Sequence, residues 1–141
     1  MILTLIRHAD ALRDAHYADI DRPLSDVGLE QAEALAARWQ PLLAKSQWQV
    51  SSAQRTQQTA QAFAVDYQPQ PGLYEAGVVS LLMFLRSQPQ QDTVVVAHNP
   101  TLSELARYLT DQPLPEMETA ELRQFNIEAW ERGGGVLLPA P

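Results

Sequence analysis

The stretch Met1–Asp10, MILTLIRHAD, decides the fold. Ile2, Leu3, Leu5 and Ile6 form an apolar run broken only by Thr4. A run this short and this apolar predicts a strand buried on both faces, as strands of a parallel sheet are. Arg7 and His8 follow at once, at the carboxyl edge where open α/β sheets keep their ligands. The same grammar returns at Thr93–Ala97, TVVVA, which is followed by His98. Two buried strands therefore each deliver a histidine at their C-terminal end.

Outward from these strands the apolar period alternates between strand and helix. Asp10–Asp21 is polar and reads as a loop overhanging the end of the first strand, with His16 as an exposed loop histidine. Ser25 is an N-cap candidate, with Asp26 and Glu30 at the favourable end of a helix. Leu29, Ala32, Ala36, Trp39 and Leu43 follow its stripe, and Pro41 predicts that it ends or kinks near Gln40. Gln47–Ser51 is a strand candidate. The next helix begins near Ala53 and places Thr56, Thr59, Ala60 and Phe63 on one face.

Val65–Leu73 carries Pro69, Pro71 and Gly72, and reads as a loop or a very short edge strand. A helix with Val78, Leu81, Leu82 and Leu85 on one face follows. After His98, Asn99-Pro100 punctuates the chain, and Thr101 with Glu104 matches a capping box. Leu102, Leu105, Ala106 and Leu109 line the helix behind it, which ends near Thr110. Leu122–Ile127 and Val136–Leu138 are the last strand candidates, joined across Gly133–Gly135. The alternation predicts an α/β fold: a three-layer sandwich around a mostly parallel sheet. With neither a repeat nor a linker, 1–141 is expected to be one domain.

Composition narrows the function. The formal net charge is −7, and Lys45 is the single lysine. An acidic surface argues against nucleic acid or an anionic membrane as a general partner, while leaving room for a local cationic pocket. Cysteine is absent, which removes thiolate chemistry, disulfides and cysteine metal sites. The N-terminal apolar run is too short for a signal peptide, and no stretch is long enough to span a bilayer. A cytoplasmic monomer is the expectation.

Arg55 falls in the first turn of its helix, where free backbone N–H groups attract anions but the macrodipole disfavours a cation. A cation placed there at some expense to the helix hints at function. A phosphoryl group is a compact dianion, and the planar fork of arginine suits its oxygens. Taken alone, His98 would more commonly be a satisfied core histidine and Arg55 a surface arginine. Glu75 alone reads equally as a surface carboxylate or as a proton donor.

Three segments carry a resemblance when taken together. Arg7-His8-Ala9, Ser51-Ser52-Ala53-Gln54-Arg55-Thr56 and Ala97-His98-Asn99-Pro100 resemble the signatures of the histidine phosphatase superfamily. The short chain, with Arg22-Pro23-Leu24 and Gly28, resembles its small SixA-type phosphohistidine phosphatase branch. The similarity runs from about Met1 to about Thr110. It implies a phosphoglycerate mutase-like fold and a covalent phosphohistidine intermediate on His8, later hydrolysed by water.

On that resemblance Arg7, Arg55, His98 and Arg22 are phosphate-binding candidates, and His98 would add a positive charge if protonated. Nearby arginines should hold His8 neutral and nucleophilic. Glu75 is the candidate proton donor, because larger members use an acid in roughly this region. No metal or other cofactor is implied. The expected partner is a phosphohistidine-bearing protein or a small phosphorylated substrate. The alternatives are a small-molecule phosphomonoesterase or mutase of the same superfamily, and a non-enzymatic phosphate-binding module.

Overall fold

Strand β1 (Ile2–Arg7) is buried along most of its length and lies inside a six-stranded sheet whose order is β3 (Gln68–Gln70), β2 (Gln47–Ser51), β4 (Thr93–Ala97), β1, β5 (Leu122–Ile127) and β6 (Gly135–Leu137). The computed structural model describes residues 1–140, so Pro141 lies outside the described residues. β1 pairs in parallel with β4 (Thr93–Ala97), with Arg7 opposite Ala97. β2 (Gln47–Ser51) pairs in parallel with β4 and with the short edge strand β3 (Gln68–Gln70). β5 (Leu122–Ile127) runs antiparallel to β1, and β6 (Gly135–Leu137) antiparallel to β5. The expected mostly parallel α/β sheet is present, with one antiparallel flank.

Alternation along β1 and β4 divides the core in two. Leu3, Leu5, Val95 and Ala97 face α3 (Val78–Ser87) and α4 (Thr101–Thr110), meeting Leu81, Leu85, Leu102 and Leu105. Ile6, Val94 and Val96 face α1 (Asp26–Leu43) and α2 (Gln54–Gln61), meeting Ala36, Trp39 and Phe63. Each large side chain removed from water contributes roughly 1.5–3 kcal/mol. The three layers follow, because both sheet faces are apolar.

Three local expectations are corrected. α1 does not stop near Gln40 but runs through Pro41 to Leu43. Pro41 lies in the last turn, and the carbonyl it leaves without a donor belongs to exposed Ala37. Leu43 is buried, and its carbonyl accepts the indole N–H of Trp48 at 3.0 Å, so packing holds the turn closed. Leu29 is 43% exposed; Gly28 takes the buried place on the stripe. The Asp10 carbonyl passes so near that a Cβ on Gly28 would sit 1.9 Å from its oxygen. Finally, Thr101 is the first residue of α4 and donates its hydroxyl to the Ala76 carbonyl at 2.7 Å, so no capping box forms. Asn99 caps instead, its Oδ1 accepting from the Ser103 N–H at 3.2 Å. Among the described residues, no helix is long and apolar enough to cross a membrane.

Candidate active site

The parallel register of β1 and β4 sets His8 and His98 side by side beyond the sheet edge, with ring centroids 5.4 Å apart. The His8 N–H bonds the Ala97 carbonyl at 3.2 Å, which extends the ladder by one residue. The Ala9 N–H donates to Thr59 Oγ1 at 3.1 Å, and that hydroxyl donates to the Arg55 carbonyl at 2.8 Å. The chain leaving β1 is thereby tied to α2. Thr56 Oγ1 bonds the Ser51 and Ala53 carbonyls, fixing the α2 start that carries Arg55.

Neighbours decide which imidazole nitrogen holds a proton. His8 Nδ1 lies 2.8 Å from the Ala9 carbonyl oxygen. A carbonyl only accepts, so Nδ1 carries the hydrogen and Nε2 keeps the lone pair. Burial first, then Arg55, Arg7 and Arg22, lower the pKa of this ring to about 4 against the raising effect of the Ala9 bond. The neutrality expected from the arginines therefore owes more to desolvation than to charge.

His98 has the opposite arrangement. Its Nδ1 faces a nitrogen of Arg55 at 3.5 Å and can only accept there, which leaves Nε2–H to donate to Ser51 Oγ at 2.7 Å. Burial, then Arg55 and His8, lower its pKa to about 3, so the ring is neutral at pH 7 and adds no positive charge.

Arg7, Arg22, Arg55, His8 and His98 share the wall of one open cavity of about 420 Å³, together with Arg13 and Asp10. Four of the chain's arginines thus converge on one concavity of an acidic protein. Arg55 is 6% exposed, and its terminal nitrogens bond the Asp19 carbonyl at 2.7 Å and carboxylate at 3.2 Å. Arg7 bonds the Met117 carbonyl at 2.8 Å. The buried Nε groups of Arg7 and Arg55 have no hydrogen-bond partner. Unpartnered buried donors on two arginines of one pocket are an arrangement suited to an anion.

The loop predicted to overhang β1 closes on itself through an Ala11–Leu24 bridge and brings Asp19 and Arg22 to the rim. His16 is exposed and pairs with Asp14, away from this cluster. Glu75 is also exposed. It lines a neighbouring cavity of about 180 Å³ that meets the arginine pocket at His98 and Asn99. Sequence reasoning missed Asp19, Tyr74 and Ser51 as neighbours of the cluster. Ser51 stands in a quoted motif, and Tyr74 beside Glu75, but nothing local distinguishes Asp19 from Asp14 or Asp21.

Comparison with known proteins bears on the fold and the family. No curated protein matches the chain. Among solved structures, the protein histidine phosphatase SixA complexed with tungstate superposes with a TM-score of 0.84 at 21% identity, covering 98% of this chain and 94% of that one. A candidate phosphohistidine phosphatase SixA from Agrobacterium tumefaciens gives 0.82 at 24% identity, over 99% and 98% of the two chains. A candidate α-ribazole-5′-phosphate phosphatase from Escherichia coli gives 0.77 at 18% identity, over 98% and 95%. These likenesses show the shared phosphoglycerate mutase-like fold. The model of the histidine phosphatase superfamily (branch 1) matches residues 3–81, more than half of the sequence. The chain belongs to the histidine phosphatase superfamily.

Proposed function

We propose that the protein is a SixA-type phosphohistidine phosphatase with His8 as its nucleophile. The observation that carries this reading is a neutral imidazole, its Nε2 lone pair free, in a pocket walled by Arg7, Arg22 and Arg55. The substrate phosphoryl group lies against the guanidinium groups, whose charge stabilises the transferring phosphoryl. His8 Nε2 donates its electron pair to phosphorus, and the bond from phosphorus to the leaving nitrogen breaks. The leaving imidazole, already protonated on its other ring nitrogen, keeps that pair and departs neutral. Water then attacks the phosphohistidine, inorganic phosphate leaves, and the His8 lone pair is restored. His98, which accepts from Arg55 through Nδ1 and donates to Ser51 through Nε2, holds the Arg55 guanidinium toward the phosphoryl oxygens. The residues of this route are all side chains, and it calls on no metal.

The openness of the arginine pocket favours a phosphoryl group displayed on a protein surface. A small phosphoester is the second reading, favoured by the neighbouring cavity that Glu75 lines. Leaving-group chemistry separates the two. An alkoxide needs a positioned acid, whereas a protonated imidazole leaves with little help. kcat/KM measured on a phosphohistidine protein and on alkyl phosphates is the test. A SixA-type enzyme prefers the former. Glu75→Gln then slows alkyl-phosphate hydrolysis by ~100-fold or more and leaves phosphohistidine hydrolysis nearly unchanged. Fast turnover of an alkyl phosphate with negligible activity on phosphohistidine would transfer the assignment to the second reading. Equal losses on both substrates would make Glu75 a pocket-shaping residue.

A further inference from the structure

One charged group beside the pocket has no part in the reaction just described. Asp19 stands on the 3-10 turn Asp19–Asp21, with its side chain 56% exposed. Its Oδ1 accepts from Arg22 Nε at 3.1 Å and is paired with a terminal nitrogen of Arg22 at 3.1 Å. Its Oδ2 accepts from Arg55 at 3.2 Å and from the Tyr74 hydroxyl at 2.5 Å. Its main-chain carbonyl accepts the other terminal nitrogen of Arg55 at 2.7 Å. Both arms of the Arg55 fork therefore end on one residue, while one arm also faces His98 Nδ1. Tyr74 closes the circuit, its ring standing edge-on to His98 with centroids 5.8 Å apart.

We propose that Asp19 is a positioning and charge-balancing residue of the anion pocket, which orients Arg55 against His98 and tempers the pull of Arg55 and Arg22 on phosphate so that product can leave. The inference rests on the phosphatase reading above. Guanidinium groups that bind a dianion strongly enough to stabilise its transfer also retain the product. A fixed carboxylate beside them repels that product without removing the donors. The carboxylate is itself unsuited to proton donation: the Tyr74 hydrogen bond first, then Arg55 and Arg22, lower its pKa to about 2.

A residue that only braced Arg55 and a residue that also balances charge predict opposite signs. Asp19→Asn keeps an oxygen acceptor of the same shape and removes the charge. Inorganic phosphate is titrated calorimetrically into wild type and variant at low and high salt, alongside kcat and KM on an aryl phosphate. Phosphate should bind the variant about tenfold more tightly at low salt, the scale of one removed charge a few ångströms from a dianion. KM should fall with it, kcat should fall as release slows, and added salt should shrink the difference. Unchanged or weaker phosphate binding by folded Asp19→Asn would overturn the proposal.

If that variant fails to fold, Tyr74→Phe takes its place. It removes only the neutral donor to Asp19, which strengthens the carboxylate's hold on the arginines, and should weaken phosphate binding by about threefold. Unchanged or tighter binding there overturns the proposal equally. A wild-type protein that hydrolyses no phosphorylated substrate would defeat the phosphatase reading, whereas a failed titration with an active wild type defeats Asp19 alone.

Discussion

His8 and His98 enter the structure by the same route and end in different chemical states. Each follows a buried strand, the strands are parallel neighbours, and the rings lie 5.4 Å apart. Burial lowers the pKa of both. What separates them is the atom each ring meets. The Ala9 carbonyl accepts the Nδ1–H of His8 and leaves Nε2 free, while Ser51 and Arg55 occupy both nitrogens of His98. The strand pattern delivers a histidine to the site; a single backbone carbonyl or hydroxyl decides which ring nitrogen stays free. In the proposed mechanism the nucleophile and the holder are told apart by the partners of their nitrogens, not by position along the strand.

Replacing each histidine in turn is the strongest way to break that distinction. His8→Asn should lose ~10⁴-fold or more in kcat, as expected when a covalent nucleophile is removed. His98→Asn should lose ~100- to 1,000-fold, the scale of one misplaced Arg55 donor to the transferring group, and should still form a covalent phosphoenzyme. Equal losses, or a phosphoenzyme in the His8 variant, would erase the difference between the rings.

The contrast sharpens at Arg55, which touches His98 but not the hydrogen-bonded nitrogen of His8. Arg55→Ala should weaken binding of phosphate or tungstate by roughly 2–4 kcal/mol, because a buried charged donor is removed. Isothermal titration measures this, and unchanged affinity would take Arg55 out of the anion site.

The last effect concerns stability. Both folded-state histidines titrate below their ordinary value of 6.5, near 4 and near 3. As pH falls through 6.5 the unfolded chain therefore takes up protons that the folded protein refuses. Stability is full above about pH 6.5 and declines below it, by on the order of 1.4 kcal/mol per pH unit for each ring, until the folded-state values are reached. Urea unfolding at pH 7.5 and pH 5.5 should give a lower midpoint at the acid value. A His8→Asn/His98→Asn double variant should lose much of that difference. A wild-type midpoint independent of pH over this interval would contradict the burial of the two rings.

The sheet was legible because β1 and β4 are apolar on both faces, and few other structures accommodate such runs. The helices were legible as stripes, but their register was not. Leu29 reads as core by hydrophobicity, yet Gly28 is the residue that lets the Asp10 carbonyl approach. Pro41 signals a break, but the burial of Leu43 keeps the turn intact. Within the site, the positions at strand ends and at the start of α2 could be placed from local pattern. Asp19 and Tyr74 could not. They lie 55 residues apart, and only the tertiary fold brings their side chains together. The hydrogen bond of His8 to its own neighbour's carbonyl is short-range, yet it is set by how the chain turns after Arg7, which no residue type encodes.

The nucleophile assignment is tested most directly by catching the phosphoryl group in transit. Wild-type protein is mixed with a labelled phosphorylated substrate and quenched within milliseconds in alkaline denaturant, where a phosphorus–nitrogen bond survives. Peptide mapping then locates the label. Phosphate on Nε2 of His8, formed and lost at rates that account for turnover, is the predicted result. Phosphate on His98 or another residue, or turnover with no covalent phosphoenzyme, would contradict the account.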